Sequence, residues 1–220
     1  ADKLIEQGKV LVNGQVAGMG QQVEETDTVQ VGKKILQGKQ TQKVLAFYKP
    51  VGVTCTERDP HAEKKIMDMI RYPERLTYAG RLDKDSEGLI LLTNDGDLIN
   101  AMMRGANRHE KEYIVKTDRE ITPDFLEKMA KGIYLKDLDI TTRECEIEQI
   151  GKFTFRIVLT QGVNRQIRRM CEACGYRVKA LKRIRIMNIL LGDLKPGKWR
   201  EVTGEELEQL QRDTGMLNRN

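Results

Sequence analysis

The sequence predicts an α+β domain built on a largely antiparallel sheet. Three observations point there. Strand-like and helix-like segments follow one another without a regular strand-helix-strand alternation. Residues 143 to 149 and 153 to 159 alternate apolar and polar side chains on either side of Gly151, as a hairpin does. Leu89-Ile90-Leu91-Leu92 is an unbroken apolar run suited to a sheet interior.

Taken in order, residues 1 to 36 read as a short helix ending near Gly8 and a strand at Val10 to Val12. An Asn13-Gly14 hairpin turn and further strand pieces near Val16 and Val29 follow. Large apolar residues are too few there for a core of its own. Residues 37 to 43 are polar and rich in Gly and Gln, which places a linker there and starts the main domain at 44, running to 213. Residues 44 to 48 form a strand that runs into Lys49-Pro50-Val51-Gly52, where proline and glycine force a turn. Residues 66 to 70 make a short helical segment. A polar loop from Gly80 to Gly88 leads into the apolar run, and Leu98, Met102 and Met103 mark the next helix.

Glu112 to Val115 is a strand, and Thr122 with Pro123 caps a helix that Gly132 ends. Beyond the hairpin, Asn164 caps a helix whose apolar stripe is Ile167, Met170, Cys171 and Cys174, with Gly175 at its C-terminus. Residues 176 to 187 read as a strand. Tyr176, Val178, Ala180, Ile184 and Ile186 fall on one side, and Arg177, Lys179, Arg183 and Arg185 on the other. Thr203 and Glu206 make a capping box for the last helix.

Composition narrows the function. The chain has 220 residues, 39% hydrophobic and 32% charged, and no stretch approaches the roughly 18 apolar residues of a membrane helix. Its four cysteines, Cys55, Cys145, Cys171 and Cys174, lack the paired spacings of a disulfide framework, which fits a reducing cytoplasm. Cys171 and Cys174 form a lone CxxC with His61 and His109 far off in sequence, and they read as structural thiols rather than metal ligands. A net charge of +5 favours a polyanionic partner. The charge is concentrated: residues 164 to 185 carry eight basic side chains against the single acid Glu172.

Three segments could carry chemistry. Arg81-Leu82-Asp83 lies in a loop just before the apolar strand, where catalytic groups are common. By itself it reads first as a solvated loop with a local ion pair. Tyr113 in its strand is by itself a core tyrosine with a satisfied hydroxyl. Gly162 to Met170 feeds a helix start bearing three arginines, suited to phosphate or carboxylate partners. The residues alone thus reach an α+β nucleic-acid binder.

The string Gly80-Arg81-Leu82-Asp83-Lys84-Asp85-Ser86-Glu87-Gly88-Leu89-Ile90-Leu91-Leu92-Thr93-Asn94-Asp95-Gly96 resembles the signature of pseudouridine synthases that modify ribosomal RNA. The likeness continues at Lys49-Pro50-Val51-Gly52, at Lys111-Glu112-Tyr113 and at Gln161-Gly162-Val163-Asn164-Arg165-Gln166-Ile167-Arg168-Arg169-Met170, so it spans residues 44 to 213. Together with Arg183-Ile184-Arg185-Ile186-Met187-Asn188, it is nearest the 23S ribosomal RNA enzymes of F type. Residues 1 to 36 resemble the second half of an S4-type RNA-binding module whose first helical part is missing here. Ser86 stands where relatives often carry threonine and keeps the hydroxyl.

The resemblance implies a pseudouridine synthase fold with a mixed, largely antiparallel central sheet flanked by helices. The activity it implies is isomerisation of one uridine of 23S ribosomal RNA. That reaction adds and removes nothing, so neither cofactor nor metal is expected. Asp83 is the implied catalytic carboxylate, as nucleophile or base, with Tyr113 stacking on the target base and Arg168 paired with Asp83 in a salt bridge. Arg81 steadies the flipped nucleotide, while Asn164, Arg165, Arg169, Lys179, Arg183 and Arg185 grip RNA. The expected partner is ribosomal RNA or an assembling ribosomal particle, met by a cytoplasmic monomer with no membrane contact. A small-subunit or transfer RNA pseudouridine synthase is the near alternative. A non-catalytic ribosome-assembly factor is the distant one, and the presence of Asp83, Tyr113 and Arg168 together weighs against it.

Overall fold

The computed structural model describes residues 2–24, 27–32, 34–36, 42–56, 65–104 and 109–217. Most of the expected linker, residues 37–41, and His61 lie outside them. The chain divides into two units, residues 1–42 and 43–220.

The first unit contains α1 (Asp2–Glu6), β1 (Val10–Val12), β2 (Gln15–Val16), β3 (Val29–Val31) and β4 (Lys34–Leu36), its strands in the order β2-β1-β3-β4. The Asn13-Gly14 turn has φ of 52° and 81°. Positive φ at both central residues is what a type I′ hairpin requires, and it sets Val12 opposite Gln15. Among the described residues of this unit, Val10, Val12 and Ala17 are buried, with Ile5, Val29 and Val31 packed against them.

The second unit runs β5 (Val44–Lys49), α2 (Ile66–Met69), β6 (Thr77–Ala79), β7 (Glu87–Thr93), α3 (Gly96–Met103), β8 (Lys111–Thr117), α4 (Pro123–Lys131), β9 (Tyr134–Leu135), β10 (Ile140–Thr141), β11 (Glu146–Gly151), β12 (Thr154–Leu159), α5 (Gln166–Ala173), β13 (Val178–Ile186), β14 (Ile189–Leu190), β15 (Trp199–Glu201) and α6 (Gly204–Asp213). Its main sheet has the order β11-β12-β8-β13-β7-β5-β15, with β14 added to β13 and β6 to β7. Only β13 and β7 run parallel among these pairs, so the sheet is mixed and largely antiparallel.

Both faces of the sheet are buried at its central strands β5 and β7, which is why Leu89-Ile90-Leu91-Leu92 is apolar throughout. Ile90 and Leu92 pack with Leu45 and Phe47 from β5, Ile66 from α2, Phe125 from α4 and Met170 from α5. Leu89 and Leu91 pack with Ala46, with Leu98 of α3 and with Leu210 of α6. Burying each such side chain contributes about 1.5–3 kcal/mol. Thr122 caps α4, its Oγ1 accepting from Phe125 N at 3.2 Å, and Gly132 ends that helix at φ 87°.

Three expectations are corrected. The two-sided reading of residues 176 to 187 fails because β13 slips register against β8 twice, between Val178 and Ala180 and between Arg183 and Arg185. An extra residue in a strand reverses the face met by those beyond it. Ala180 is therefore exposed, while Leu181 and Arg183 are buried. Secondly, Asn164 does not cap α5. The cap is Arg165, in a left-handed backbone conformation (φ 51°) and without a side-chain cap bond. Thirdly, Thr203 makes no side-chain cap bond, and Glu206 instead receives both terminal nitrogens of Arg200 at 2.6 and 2.7 Å.

Candidate active site

Strand β7 shares one edge between two neighbours: its start pairs with β13 and its end with β6. Residues 80–86 must therefore leave β6 and return to β7 at the notch where β13 and β6 meet, and that connection carries Asp83. The loop is tied down from several sides. Gly52 N donates to Lys84 O at 2.7 Å and Ser86 N to Asp83 O at 3.1 Å. Cys55 Sγ donates to Leu82 O at 3.1 Å and accepts from Leu82 N at 3.4 Å. Lys49, fully buried, donates its Nζ to Pro50 O and Ser86 O at 2.8 and 2.7 Å.

The start of α5 meets this loop. Arg165 donates to both carboxylate oxygens of Asp85 at 3.1 and 3.0 Å and lies 3.5 Å from Asp83 Oδ2. Arg168 Nη2 donates to Asp85 O at 2.8 Å and Ser86 Oγ at 3.2 Å, and it lies 3.3 Å from Asp85 Oδ2. The salt bridge expected between Asp83 and Arg168 is thus corrected. Arg165, reaching forward from its left-handed position, is the guanidinium beside Asp83, and Arg168 grips the turn behind it. The arginines hold the Asp85 carboxyl below its usual range, first through the Arg165 hydrogen bonds.

Tyr113, 9% exposed, stands opposite Arg183 in the β8–β13 ladder. Arg183 Nε donates to Leu89 O at 2.7 Å and Nη1 to Arg81 O at 3.4 Å, which joins the Tyr113 strand to the Asp83 loop. Arg81, Asp83, Tyr113, Arg168 and Arg183 all line one cleft of about 600 Å³. The structure thereby brings together residues 81, 83, 113 and 168 from three separate segments, the β6–β7 loop, β8 and α5.

The other expected RNA contacts divide. Lys179 and Asn164 are exposed. Arg169 is ion-paired with Asp137 and donates its Nε to Asn164 O at 3.0 Å. Two expectations are corrected. Arg183 is 2% exposed and cannot meet a backbone on the surface. Arg185 pairs with Glu112 at 2.6 Å and Glu110 at 3.0 Å, so its charge is answered within the sheet.

Lys49 and Cys55 support the loop although no role was assigned to either from the sequence. The signals for Lys49 were its place at the end of a strand before Pro50 and its part in the family-like segment Lys49-Pro50-Val51-Gly52. Burial pulls the Lys49 ammonium below its usual range, against the pull of Cys55, Asp83, Asp85 and Glu87. Lys49→Met would leave the Pro50 and Ser86 carbonyls without their donor, at a net cost of about 2 kcal/mol after the relief of a buried charge. The expected result is a lower Tm by thermal unfolding together with slower turnover, because the Asp83 loop loses its tether.

The comparison with known proteins defines the class. The chain belongs to the RNA pseudouridylate synthase family, whose sequence pattern matches residues 43–173. It is an RNA pseudouridine synthase, an isomerase acting on RNA. Among its relatives, the dual-specificity RNA pseudouridine synthase RluF of Escherichia coli (strain K12) is 44% identical over 96% of this chain and 72% of that protein. The ribosomal large subunit pseudouridine synthase B of Vibrio cholerae is 33% identical over 95% of this chain and 68% of its own length. A pseudouridylate synthase crystal structure superposes with a TM-score of 0.73 at 28% identity, covering 94% of this chain and 91% of the other. Among the described residues no helix is long and apolar enough to cross a membrane.

Proposed function

We infer that this chain converts one uridine of 23S ribosomal RNA to pseudouridine, in the cytoplasm and as a monomer, with Asp83 as its catalytic carboxylate. The observation that carries the reading is the convergence of Asp83, Tyr113, Arg81 and Arg168 on one cleft, in a chain 44% identical to RluF. The target nucleotide swings out of its stack, and its base lies against the Tyr113 ring. Asp83, a third exposed and flanked by Arg165, acts at the sugar as nucleophile or base. The N1–C1′ bond breaks, the ring turns, and C5 bonds C1′ in its place.

Arg168 positions the Asp83 loop through Asp85 and Ser86. Arg81, exposed at the cleft, steadies the flipped nucleotide, while Asn164, Arg165, Arg169 and Lys179 meet the backbone. Residues 1–36 serve as part of an S4-like RNA-binding module, joined by a linker at 37–43 to the catalytic domain at 44–213. RNA on an assembling ribosomal particle suits these exposed cations as well as free RNA does.

The test is incubation of the chain with 23S, 16S and transfer RNA transcripts, followed by mapping of pseudouridine. Conversion at a single 23S position is expected. Product confined to 16S or transfer RNA would overturn the substrate, and no product in any of the three would overturn the reading.

A further inference from the structure

Buried cations in this fold are generally answered. Lys49 has two carbonyls and lies near Asp83, Asp85 and Glu87, and Arg185 has two carboxylates. Lys111 and Arg183 depart from this pattern. Lys111, half-buried two residues before Tyr113, donates to His109 O at 3.2 Å and has no carboxylate partner among the described residues. Burial, and then the charge of Arg183, push its ammonium down to about 8. Arg183 is almost wholly buried, and its Nη2 finds no hydrogen-bond partner among the described residues. Both side chains line the cleft that holds Asp83 and Tyr113.

Two cations that have carbonyl partners and no carboxylate among the described residues cost stability when kept close together, and a fold that retains them has them available for negative charge arriving from outside. An RNA phosphate is one source of such charge, and the reacting base is another. The lining favours the base, because Leu159, Leu181 and Tyr113 give these cations apolar company that suits a flat ring. A flipped nucleotide also presents its base inward and leaves its phosphates outside.

The chemistry creates charge on that base. When the N1–C1′ bond breaks with Asp83 at the sugar, the bonding pair leaves with the ring and its negative charge spreads over N1, O2 and O4. When C5 bonds C1′, the pair returns; C5 loses a proton and N1 gains one, so nothing is consumed. Fixed cations in a partly desolvated cleft stabilise such transient charge strongly. We propose that Lys111, backed by Arg183, is a catalytic residue that holds the negative charge of the detached uracil ring. This rests on the pseudouridine-forming reading of the same cleft.

The test compares wild type, Lys111→Met and Lys111→Arg in single-turnover reactions on 23S RNA, with RNA binding and thermal unfolding measured alongside. Lys111→Met is expected to lower the saturated rate about 10²-fold with RNA affinity kept within about twofold, and Lys111→Arg to recover most of that rate. Because Met removes an unanswered charge, its Tm is expected to equal or exceed that of wild type. An unchanged rate overturns the proposal, and so does lost affinity with the saturated rate intact, the mark of a phosphate contact. A lower Tm with a rate that Arg does not rescue would show a structural role and overturn it too. A wild type that forms no pseudouridine ends the reading of the function and this inference together. A wild type that does, beside an equally fast Lys111→Met, ends this inference alone.

Discussion

Asp83→Asn is expected to lower pseudouridine formation more than about 10³-fold, the loss seen when the group that performs the chemistry is removed. Its stability is expected to stay near wild type. The two outcomes separate because of where the carboxylate sits. The Asp83 side chain is a third exposed, and its ion pair among the described residues is a 3.5 Å contact with Arg165, a guanidinium already bonded twice to Asp85. Exposed contacts of that kind contribute about 0–1 kcal/mol. The loop itself is held through backbone groups at Leu82, Asp83, Lys84 and Ser86, none of which the substitution touches. Pseudouridine mapping over a time course, set beside thermal unfolding, gives both readouts. Product from the variant at the wild-type rate would remove Asp83 from the mechanism. A Tm drop of several degrees would mean that the carboxylate also braces the loop.

Features set by local chemistry were legible in the sequence. The Asn13-Gly14 turn, the Thr122 cap with its Gly132 stop and the 146–159 hairpin each depend on neighbours a few residues away, and the run at 89–92 shows its two-sided burial in its own unbroken apolar residues. What failed depended on partners far along the chain. Period-two alternation assigns strand faces only while the register is unbroken, and the slip between Val178 and Ala180 moved Arg183 into the interior. Glu206, spaced to cap its own helix, is drawn instead to Arg200, whose guanidinium offers two charged bonds. Arg165 and Arg168 differ by less than one helical turn, so which of them meets Asp83 depends on the left-handed cap at residue 165. Spacing along the helix carries no trace of that. Lys49 escaped for a related reason. A lysine at a strand end is ordinarily solvated, and its burial follows from carbonyls supplied by Pro50 and by Ser86, 37 residues away.

Gly88→Ala is expected to destabilise the second unit by at least about 3 kcal/mol, the range reached when a rigid backbone must move to admit an atom. Gly88 sits where β7 and β13 run side by side, directly across from Arg183. A Cβ there would lie 2.2 Å from Arg183 O and 2.6 Å from Arg183 N, backbone atoms that cannot swing aside. Its φ of 113° is also one that residues bearing a Cβ rarely adopt. The strands would have to separate at the parallel β7–β13 pairing, which is also where the Asp83 loop rejoins β7. Arg183 would then lose its bonds to Leu89 O and Arg81 O, and with them the link from the Tyr113 strand to the Asp83 loop. Activity should therefore fall along with Tm, which for a protein of this size should drop by about 10 °C. Thermal unfolding of the variant checks this, and a Tm within a degree or two of wild type would mean that β7 and β13 are not held together this closely.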